Sequence, residues 1–227
     1  MINSDYILTT MQITWYGQSL FQILSAADKN GQIKIVIDPF SDSVGLRTPQ
    51  LEADVLLLSH QHQDHNNVKL VSGNYFLVEG PGEYEVKNIF IQGVPSFHNN
   101  TSDREKESNT IYIIQAEGLR ICHLGGLGQN ELTDEQLDKI GDVDILMIPI
   151  GGGPTISIKE AQKIMAQVEP KITIPMHYAL PKLKIKLEPV EKFLKALGIR
   201  SLEPMKKLSI KKKDIAPEEA KIFVLKP

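Results

Sequence analysis

The segment LLLSHQHQDH, residues 56–65, constrains this chain more than any other, because an apolar run leads directly into a cluster of metal-binding side chains. The cluster holds three histidines and one aspartate, while the whole chain of 227 residues has only six histidines. The apolar run DVLLL has the length and composition of a strand buried on both faces. We therefore expect the fold to bring further ligands to the end of this strand.

The spacing within the cluster predicts one metal ion, and a bend in the chain would allow two. Residues two apart in an extended segment point to the same side, so His60 and His62 can grip one ion together. Asp64 is in phase with them and His65 is not, so a bend after Gln63 lets Asp64 and His65 serve a second ion. Imidazole and carboxylate groups suit Zn²⁺, with Mn²⁺ or iron as alternatives.

Ligands from distant parts of the chain are also required. A catalytic zinc takes about three protein ligands and keeps one position open. The remaining histidines are His98, His123 and His177. Each lies at or near the end of a predicted strand, where loops converge, so all three are candidate ligands.

Strands separated by turns are predicted for the first half of the chain. Glycine and asparagine mark a hairpin turn at residues 29–31, and Glu117-Gly118 marks another. The polar span 99–109 lacks periodicity and is predicted to be a loop.

Strands and helices alternate in the second half. Capping boxes at Thr133–Gln136 and Ser157–Glu160 predict two helix starts, and Glu188-Pro189 predicts a third. The tail EEAKIFVLKP is predicted to end in a strand. Without a clear linker, this pattern favours a single α/β domain over residues 1–227, with two mixed sheets packed face to face and helices on the outer faces.

Composition restricts the partners. The net charge of −3 gives no broad basic field, which disfavours nucleic acid, and the basic segment at 206–214 is expected to be a solvated face. One cysteine, Cys122, permits no internal disulfide and suits a reducing cytoplasm. No apolar run reaches the roughly 18 residues of a membrane span, and the N-terminus lacks the pattern of a signal peptide. We expect a cytoplasmic protein that acts on a small molecule and touches neither membrane nor nucleic acid.

The motif HQHQDH resembles the HxHxDH signature of the metallo-β-lactamase superfamily, and the resemblance extends over nearly the whole chain. The chain is most similar to a branch of small metal-dependent hydrolases that look like L-ascorbate-6-phosphate lactonase. The supporting segments are WYGQSLF (15–21), IDPF (37–40), GPGEYE (80–85), VPSFH (94–98), HLGGLG (123–128), DVDILMIPIGG (142–152) and IPMHY (174–178). The resemblance implies an αββα sandwich.

The resemblance also implies a ligand set. The first metal would take His60, His62 and His98, and the second would take Asp64, His65 and His177. Four further residues are expected to contact ligands or substrate rather than metal, and these are Asp38, His123, Gly126 and Tyr178. Asp38 would hold the metal loop by hydrogen bonds, and His123 is expected to pack beside the site. Tyr178 is a candidate donor to a developing oxyanion, and the alternative is that it packs beside His177, as a tyrosine next to a ligand more often does.

Two positions depart from the pattern of the superfamily. Relatives read His-x-Gly-Asp where this chain has His123-Leu124-Gly125-Gly126, so the carboxylate that bridges two metals is missing at Gly126. Losing it should weaken at least one metal site, because two cations then repel each other without compensation. On this reasoning, Gly126→Asp is predicted to raise metal occupancy. The second departure is Gln18, where relatives often carry histidine.

Two hypotheses for function follow. The first is a hydrolase that uses metal-activated water on a small ester, lactone or phosphorylated metabolite, with one or two Zn²⁺ ions and with Asp64 and His177 as catalytic residues. The alternative is a metal-binding protein of the same fold with weak or no catalysis. A homo-oligomer is possible in either case.

Overall fold

The strands form two large sheets and one short ribbon. The computed structural model describes residues 10–26, 31–99, 107–216 and 219–227. Within these residues the first sheet has six strands in the order β14-β1-β2-β3-β5-β7, and the second has seven in the order β15-β13-β12-β11-β10-β9-β8. The strands are β1 Met11–Gly17, β2 Leu20–Ala26, β3 Gln32–Ile37, β4 Leu51–Glu52, β5 Val55–Leu57, β6 Val71–Ser72, β7 Phe76–Val78, β8 Gly82–Val86, β9 Ile89–Phe97, β10 Ser108–Ala116, β11 Leu119–His123, β12 Ile145–Pro149, β13 Ile172–Met176, β14 Leu208–Ile210 and β15 Lys221–Ile222.

Alternating side chains on the strands of the first sheet build two cores. Ile35 and Ile37 on β3 point into the large core shared with the second sheet, while Val36 points to the opposite side. On β5, Val55 and Leu57 alternate with Leu56 in the same way. A period of two residues is what a pleated strand imposes, so both faces of this sheet are covered.

The second sheet carries the helices that the capping boxes predicted. Helix α1 (Asp134–Ile140) begins after Thr133 and helix α2 (Ile158–Val168) begins after Ser157, each with both hydrogen bonds of a capping box. Helix α3 (Val190–Ala196) follows Pro189, as predicted. None of the helices in the described part of the chain has the length and apolar character that crossing a bilayer requires.

The sandwich is confirmed, but the outer layer of the first sheet differs from the prediction. In the described residues, the cluster on its outer face contains the ribbon β4-β6 and the short 3₁₀ turns at Asp42–Val44 and Val68–Leu70, and it contains no residue of α1–α3. Short connections of this kind carry isolated apolar residues, which gave no helical period to recognise.

Three local predictions have clear outcomes. The hairpin turn at Glu117-Gly118 joins β10 to β11 as expected. The loop predicted at 99–109 is wrong at its end, because residues 108–109 belong to β10. Most of the turn predicted at 29–31 falls within residues 27–30, and most of the loop predicted at 99–109 falls within residues 100–106. Both segments lie outside the described residues.

The polar side chains of the predicted site lie at the carboxyl ends of strands. Asp38 follows β3, and the His60 cluster follows β5, which runs parallel to β3. His98 follows β9, His123 ends β11, and His177 follows β13. Carboxyl ends of parallel strands share one edge of a sheet, and ligands bind there in α/β folds.

Candidate metal centre

The histidine loop turns sharply and thereby divides its four polar residues into two pairs. The backbone N–H of His65 donates to the His62 carbonyl at 2.9 Å, and the N–H of Asn66 donates to the same oxygen at 3.0 Å. This is the bend that the spacing required after Gln63. It leaves His60 and His62 on one side, and Asp64 and His65 on the other.

His60, His62 and His98 form the first triad. Their nearest ring nitrogens all lie within 4.8 Å of one another, and the His60 and His98 rings stack with centroids 4.4 Å apart. The Nδ1 atom of His60 bonds Ser59 Oγ at 2.9 Å, and Nδ1 of His98 donates to the Gly126 carbonyl. These bonds turn the Nε2 atoms toward the centre of the triad, where the buried Nε2 of His60 has no partner among the described residues.

Asp64, His65 and His177 form the second triad, again with ligand atoms within 4.8 Å of one another. Asp64 Oδ2 lies 3.3 Å from His177 Nε2 and 3.5 Å from His65 Nε2. Two ligands on one tetrahedral zinc are about 3.3 Å apart when each bond is about 2.0–2.1 Å. The second triad therefore has the spacing of a single coordination shell.

Asp38 forms hydrogen bonds to the chain on both sides of the bend in the histidine loop. Its carboxylate accepts from the Ser59 N–H at 2.7 Å, from Ser59 Oγ at 2.6 Å and from His65 Nδ1 at 2.9 Å. Bonding at Nδ1 fixes the His65 ring so that Nε2 is left for a metal, the usual arrangement behind a metal-bound imidazole. Asp38 is fully buried and has a left-handed backbone with φ of 50°.

Burial and mutual repulsion keep most of these imidazoles neutral. Desolvation lowers the pKa of His60, and the neighbouring histidines lower it further. Desolvation also lowers the pKa of His98 and of His177. His65 is the exception, because desolvation is outweighed by the Asp38 carboxylate, which raises the pKa of His65 to about 9. Desolvation raises the pKa of Asp64, but the hydrogen bond from His177 and the positive charge of His65 outweigh it and lower the pKa, so Asp64 remains a carboxylate.

The donor set fits two metal ions. Buried polar atoms almost always have partners, yet Nε2 of His60 and Nε2 of His65 have none among the described residues. Both atoms face the other ligands of their triads, and a cation bound to each triad would satisfy them. Five imidazoles and one carboxylate are the ligand chemistry of Zn²⁺ and its first-row neighbours.

A pocket of about 400 Å³ opens beside the first triad. His60 and His62 form part of its wall, and the carboxylates of Glu79 and Glu107 flank them. Glu107 lies 3.5 Å from His62 Nε2. The first triad thus meets the pocket through His60 and His62, although His60 and His98 are buried, while His65 and His177 of the second triad are fully buried.

Comparison with known proteins identifies the family. The model of the β-lactamase superfamily domain matches residues 12–177, which include all six members of the two triads. This chain belongs to the β-lactamase superfamily.

Named relatives in the superfamily are hydrolases. The chain is 27% identical over 195 residues to a UPF0173 metal-dependent hydrolase of Thermococcus onnurineus, covering 74% of this chain and 84% of that one. It is 28% identical over 228 residues to a UPF0173 metal-dependent hydrolase of Archaeoglobus fulgidus, and the match covers 83% of this chain and 93% of that one. A crystal structure described as that of a candidate Zn-dependent hydrolase of the metallo-β-lactamase superfamily, from Thermotoga maritima, matches with a TM-score of 0.74, 36% identity and coverage of 95% and 98%.

Both ring nitrogens of His123 have hydrogen-bond partners, so neither is left for a metal. Its Nε2 donates to the Ser19 carbonyl at 3.0 Å, and its Nδ1 accepts from the Gly125 N–H at 3.1 Å. The ring also packs edge-on against Phe21, with centroids 5.7 Å apart. Of the two roles open to His123 in the sequence, the structure shows packing beside the site.

Tyr178 departs from its expected role as an oxyanion donor. Its hydroxyl donates to the Leu225 carbonyl at 3.0 Å, and its ring stacks near Trp15 at 4.8 Å. The side chain is turned toward the C-terminal segment, so a correction is needed: Tyr178 holds the C-terminal segment and is not free to bond an oxyanion. A role at the site was inferred for Tyr178 because it follows His177 in the sequence, but consecutive residues point in different directions.

Gly126 also requires a correction. A Cβ atom at this position would stand 2.4 Å from His60 Cε1 and 2.7 Å from His98 Nδ1, too close for either ring. The two histidines of the first triad therefore fill the space where relatives place a side chain. Gly126→Asp would push the rings apart, so steric overlap opposes the gain in metal occupancy that the sequence predicts for this substitution.

Sequence reasoning missed two polar residues that support the site. Ser59 joins Asp38 to His60, as described above. Asn109 accepts from the Gly126 N–H at 2.9 Å and donates to the Leu124 carbonyl at 3.0 Å, which fixes the loop under His98. Asn109 belongs to the span interpreted as a loop, and its partners are 13 or more residues away, so the sequence carried no local signal for it.

Proposed function

We propose that this chain is a metal-dependent hydrolase that binds one metal in each triad and acts on a small ester or lactone in the adjacent pocket. The single observation behind this proposal is the pairing of two complete ligand sets, the first of which meets a pocket through His60 and His62. Family membership and the names of the relatives support it.

The metal ligands and Asp38 would have different roles in hydrolysis. A bound zinc would lower the pKa of its water toward about 7 and would polarise a substrate carbonyl. Asp64 stays ionised and is partly exposed, so it can orient the attacking water as well as bind metal. His177 holds Asp64 through a 3.3 Å contact and completes the second triad. Asp38 keeps His65 oriented.

The pocket wall favours uncharged substrates over phosphorylated ones. Of its described lining residues, two are glutamates and none is lysine or arginine. A phosphate would meet Glu79 and Glu107 without a cationic partner from these residues, apart from the metals. A volume of about 400 Å³ suits a small metabolite. Within the proposal, the likeness to L-ascorbate-6-phosphate lactonase supports the lactone chemistry rather than the phosphate group.

Zinc is the proposed metal, because five of the six ligands are imidazoles and the Thermotoga maritima relative is described as Zn-dependent. Manganese and iron are the alternatives. The cytoplasmic location, the homo-oligomer and the single domain stay predictions.

The alternative of a metal-binding protein without catalysis depended on Gly126. The structure assembles both triads without a side chain at that position, because His60 and His98 occupy its space. No observation in the described residues favours the inactive alternative.

The test combines metal analysis with hydrolysis. Protein purified without chelator should carry about two equivalents of metal and should hydrolyse at least one of a panel of p-nitrophenyl esters and small lactones. Removal by a chelator should abolish turnover, and added Zn²⁺ or Mn²⁺ should restore it. Two bound metals with no turnover on any ester or lactone would contradict the hydrolase proposal, and no bound metal would contradict both parts of it.

A further inference from the structure

Gln18 lies in the two-residue turn between β1 and β2 and is held there from several sides. Its carbonyl accepts from the Trp15 indole N–H at 2.9 Å and from the His177 backbone N–H at 3.0 Å. Gln18 is fully buried and has φ of 47°, and His177 opposite it has φ of 50°. Two non-glycine residues in the left-handed region, bonded to each other, are strained positions of the kind found at functional sites.

The side-chain amide of Gln18 lies among the ligands of the second triad. Its Nε2 atom is 3.3 Å from His177 Nε2 and 3.4 Å from Asp64 Oδ2. Those are the distances that separate the triad's own ligand atoms, 3.3 Å for Asp64 to His177 and 3.5 Å for Asp64 to His65. The amide head therefore lies at the spacing of a coordination shell from two of the three ligands, Asp64 and His177.

Charge decides which end of the amide faces that corner when the triad binds a cation. The oxygen and nitrogen of a glutamine amide exchange places by a half-turn about the last side-chain bond. A cation attracts the carbonyl oxygen and repels the N–H hydrogens, so the oxygen would face it. The half-turn would replace the contacts of Nε2 with Asp64 and His177 by a bond from Oε1 to the cation, and Oε1 is now buried without a partner among the described residues.

We propose that Gln18 supplies its side-chain oxygen as a fourth protein ligand to the metal bound by Asp64, His65 and His177. The proposal rests on the metal-binding part of the proposed function. Four protein ligands close a tetrahedral site. The exchangeable position of this enzyme then belongs to the first triad, which is the one that faces the pocket.

The first test measures metal affinity rather than turnover. A His98→Ala background weakens the first triad and isolates the second, and zinc dissociation constants are measured by competition with a chromophoric chelator. Gln18→Met, which keeps the length of the side chain but removes the oxygen, should raise the dissociation constant at least about tenfold. Gln18→Glu, which keeps an oxygen in place, should bind as tightly as Gln18 or more tightly. Gln92→Met, on β9 away from the triads, is the matched control and should change nothing.

The outcomes separate a ligand from a hydrogen-bond donor. If Gln18→Met binds zinc within about twofold of the background protein, the proposal is wrong. If Gln18→Met and Gln18→Glu weaken binding equally, the amide acts through its N–H group on Asp64, and the ligand role is also wrong. If the background protein itself binds no zinc, the proposed function fails at the second triad.

A second test leaves Gln18 unchanged and so does not depend on a variant that folds. Co²⁺ bound at the second triad in the His98→Ala background should give an absorption spectrum that added azide leaves unaltered, because a closed site has no exchangeable position. A spectrum that shifts with azide would show an open position and would overturn the proposal.

Discussion

The two triads differ more in their surroundings than in their ligands. The first consists of three imidazoles, two of which line a pocket where the Glu107 carboxylate lies 3.5 Å from His62 Nε2. The second has a carboxylate of its own in Asp64, the Asp38 carboxylate behind His65, and Gln18 at its side. An oxygen-rich, buried site stabilises a cation strongly, whereas a neutral, exposed one allows exchange with substrate.

This difference indicates that the histidine loop, residues 60–65, serves two separate tasks. His60 and His62 precede the bend and reach the pocket, while Asp64 and His65 follow it, with Asp64 partly exposed and His65 fully buried. We expect the second site to bind metal more tightly and the first to contact substrate. Each prediction below tests one part of that contrast.

The largest effect is expected from removing one ligand of either triad. His62→Ala and His177→Ala should each lower the turnover of a cleaved ester by about a thousandfold or more, because a metal contributes several kcal/mol to the transition state. Steady-state kinetics at saturating metal check this. Gln92→Ala is the control, and normal turnover in either histidine variant would refute the assignment of that triad.

Asp38→Asn should affect the second site far more than the first. The substitution removes the charge that orients His65, and loss of such a partner typically lowers metal affinity about 10–100-fold. It should also lower the free energy of unfolding by about 3–5 kcal/mol, because a buried charged pair is broken. Zinc competition in the His98→Ala and His177→Ala backgrounds compares the two sites, and equal losses in both would remove the contrast.

The pH dependence of zinc binding should distinguish the triads. The pKa of His65 is raised to about 9, so at pH 7 this ring is protonated and zinc must displace a proton. Affinity at the second site should therefore rise about tenfold per pH unit between 7 and 8 and level off above 9. The lowered pKa values of His60 and His98 mean that these rings are already neutral, so the first site should change little. Isothermal titration in the two single-site backgrounds measures both slopes, and parallel slopes would contradict this account.

Gly126→Ala should weaken the first site moderately. The added methyl group would overlap His60 and His98, which would have to move by about an ångström or more from their stacked positions. We expect the zinc dissociation constant of the first site to rise about tenfold or less in the His177→Ala background, with the second site unaffected. A tighter first site would restore the original idea that Gly126 is a defect.

The smallest effect is expected at Tyr178, which lies next to His177 in the chain but outside both triads. Tyr178→Phe should leave turnover within about twofold, and it should lower the free energy of unfolding by about 1 kcal/mol because one buried hydrogen bond to Leu225 is lost. Denaturant titration together with kinetics tests this. A large loss of turnover with unchanged stability would return Tyr178 to the active site.

The features that the sequence itself determined are those with a local physical cause. The capping boxes at Thr133 and Ser157 fix helix starts through contacts three residues apart, and the bend after Gln63 follows from the spacing of four polar residues. The superfamily signature then indicated which distant histidines belong with them. These inferences need only neighbours along the chain or a recognised pattern.

Tertiary structure decided everything that depends on which side chains meet across the fold. The amide of Gln18 reaches Asp64, 46 positions away, and the hydroxyl of Tyr178 finds Leu225, 47 positions away. Whether a glycine such as Gly126 is a gap or a filled space depends on the rings packed against it. No local pattern encodes such meetings, because they follow from the packing of two sheets whose strand ends converge.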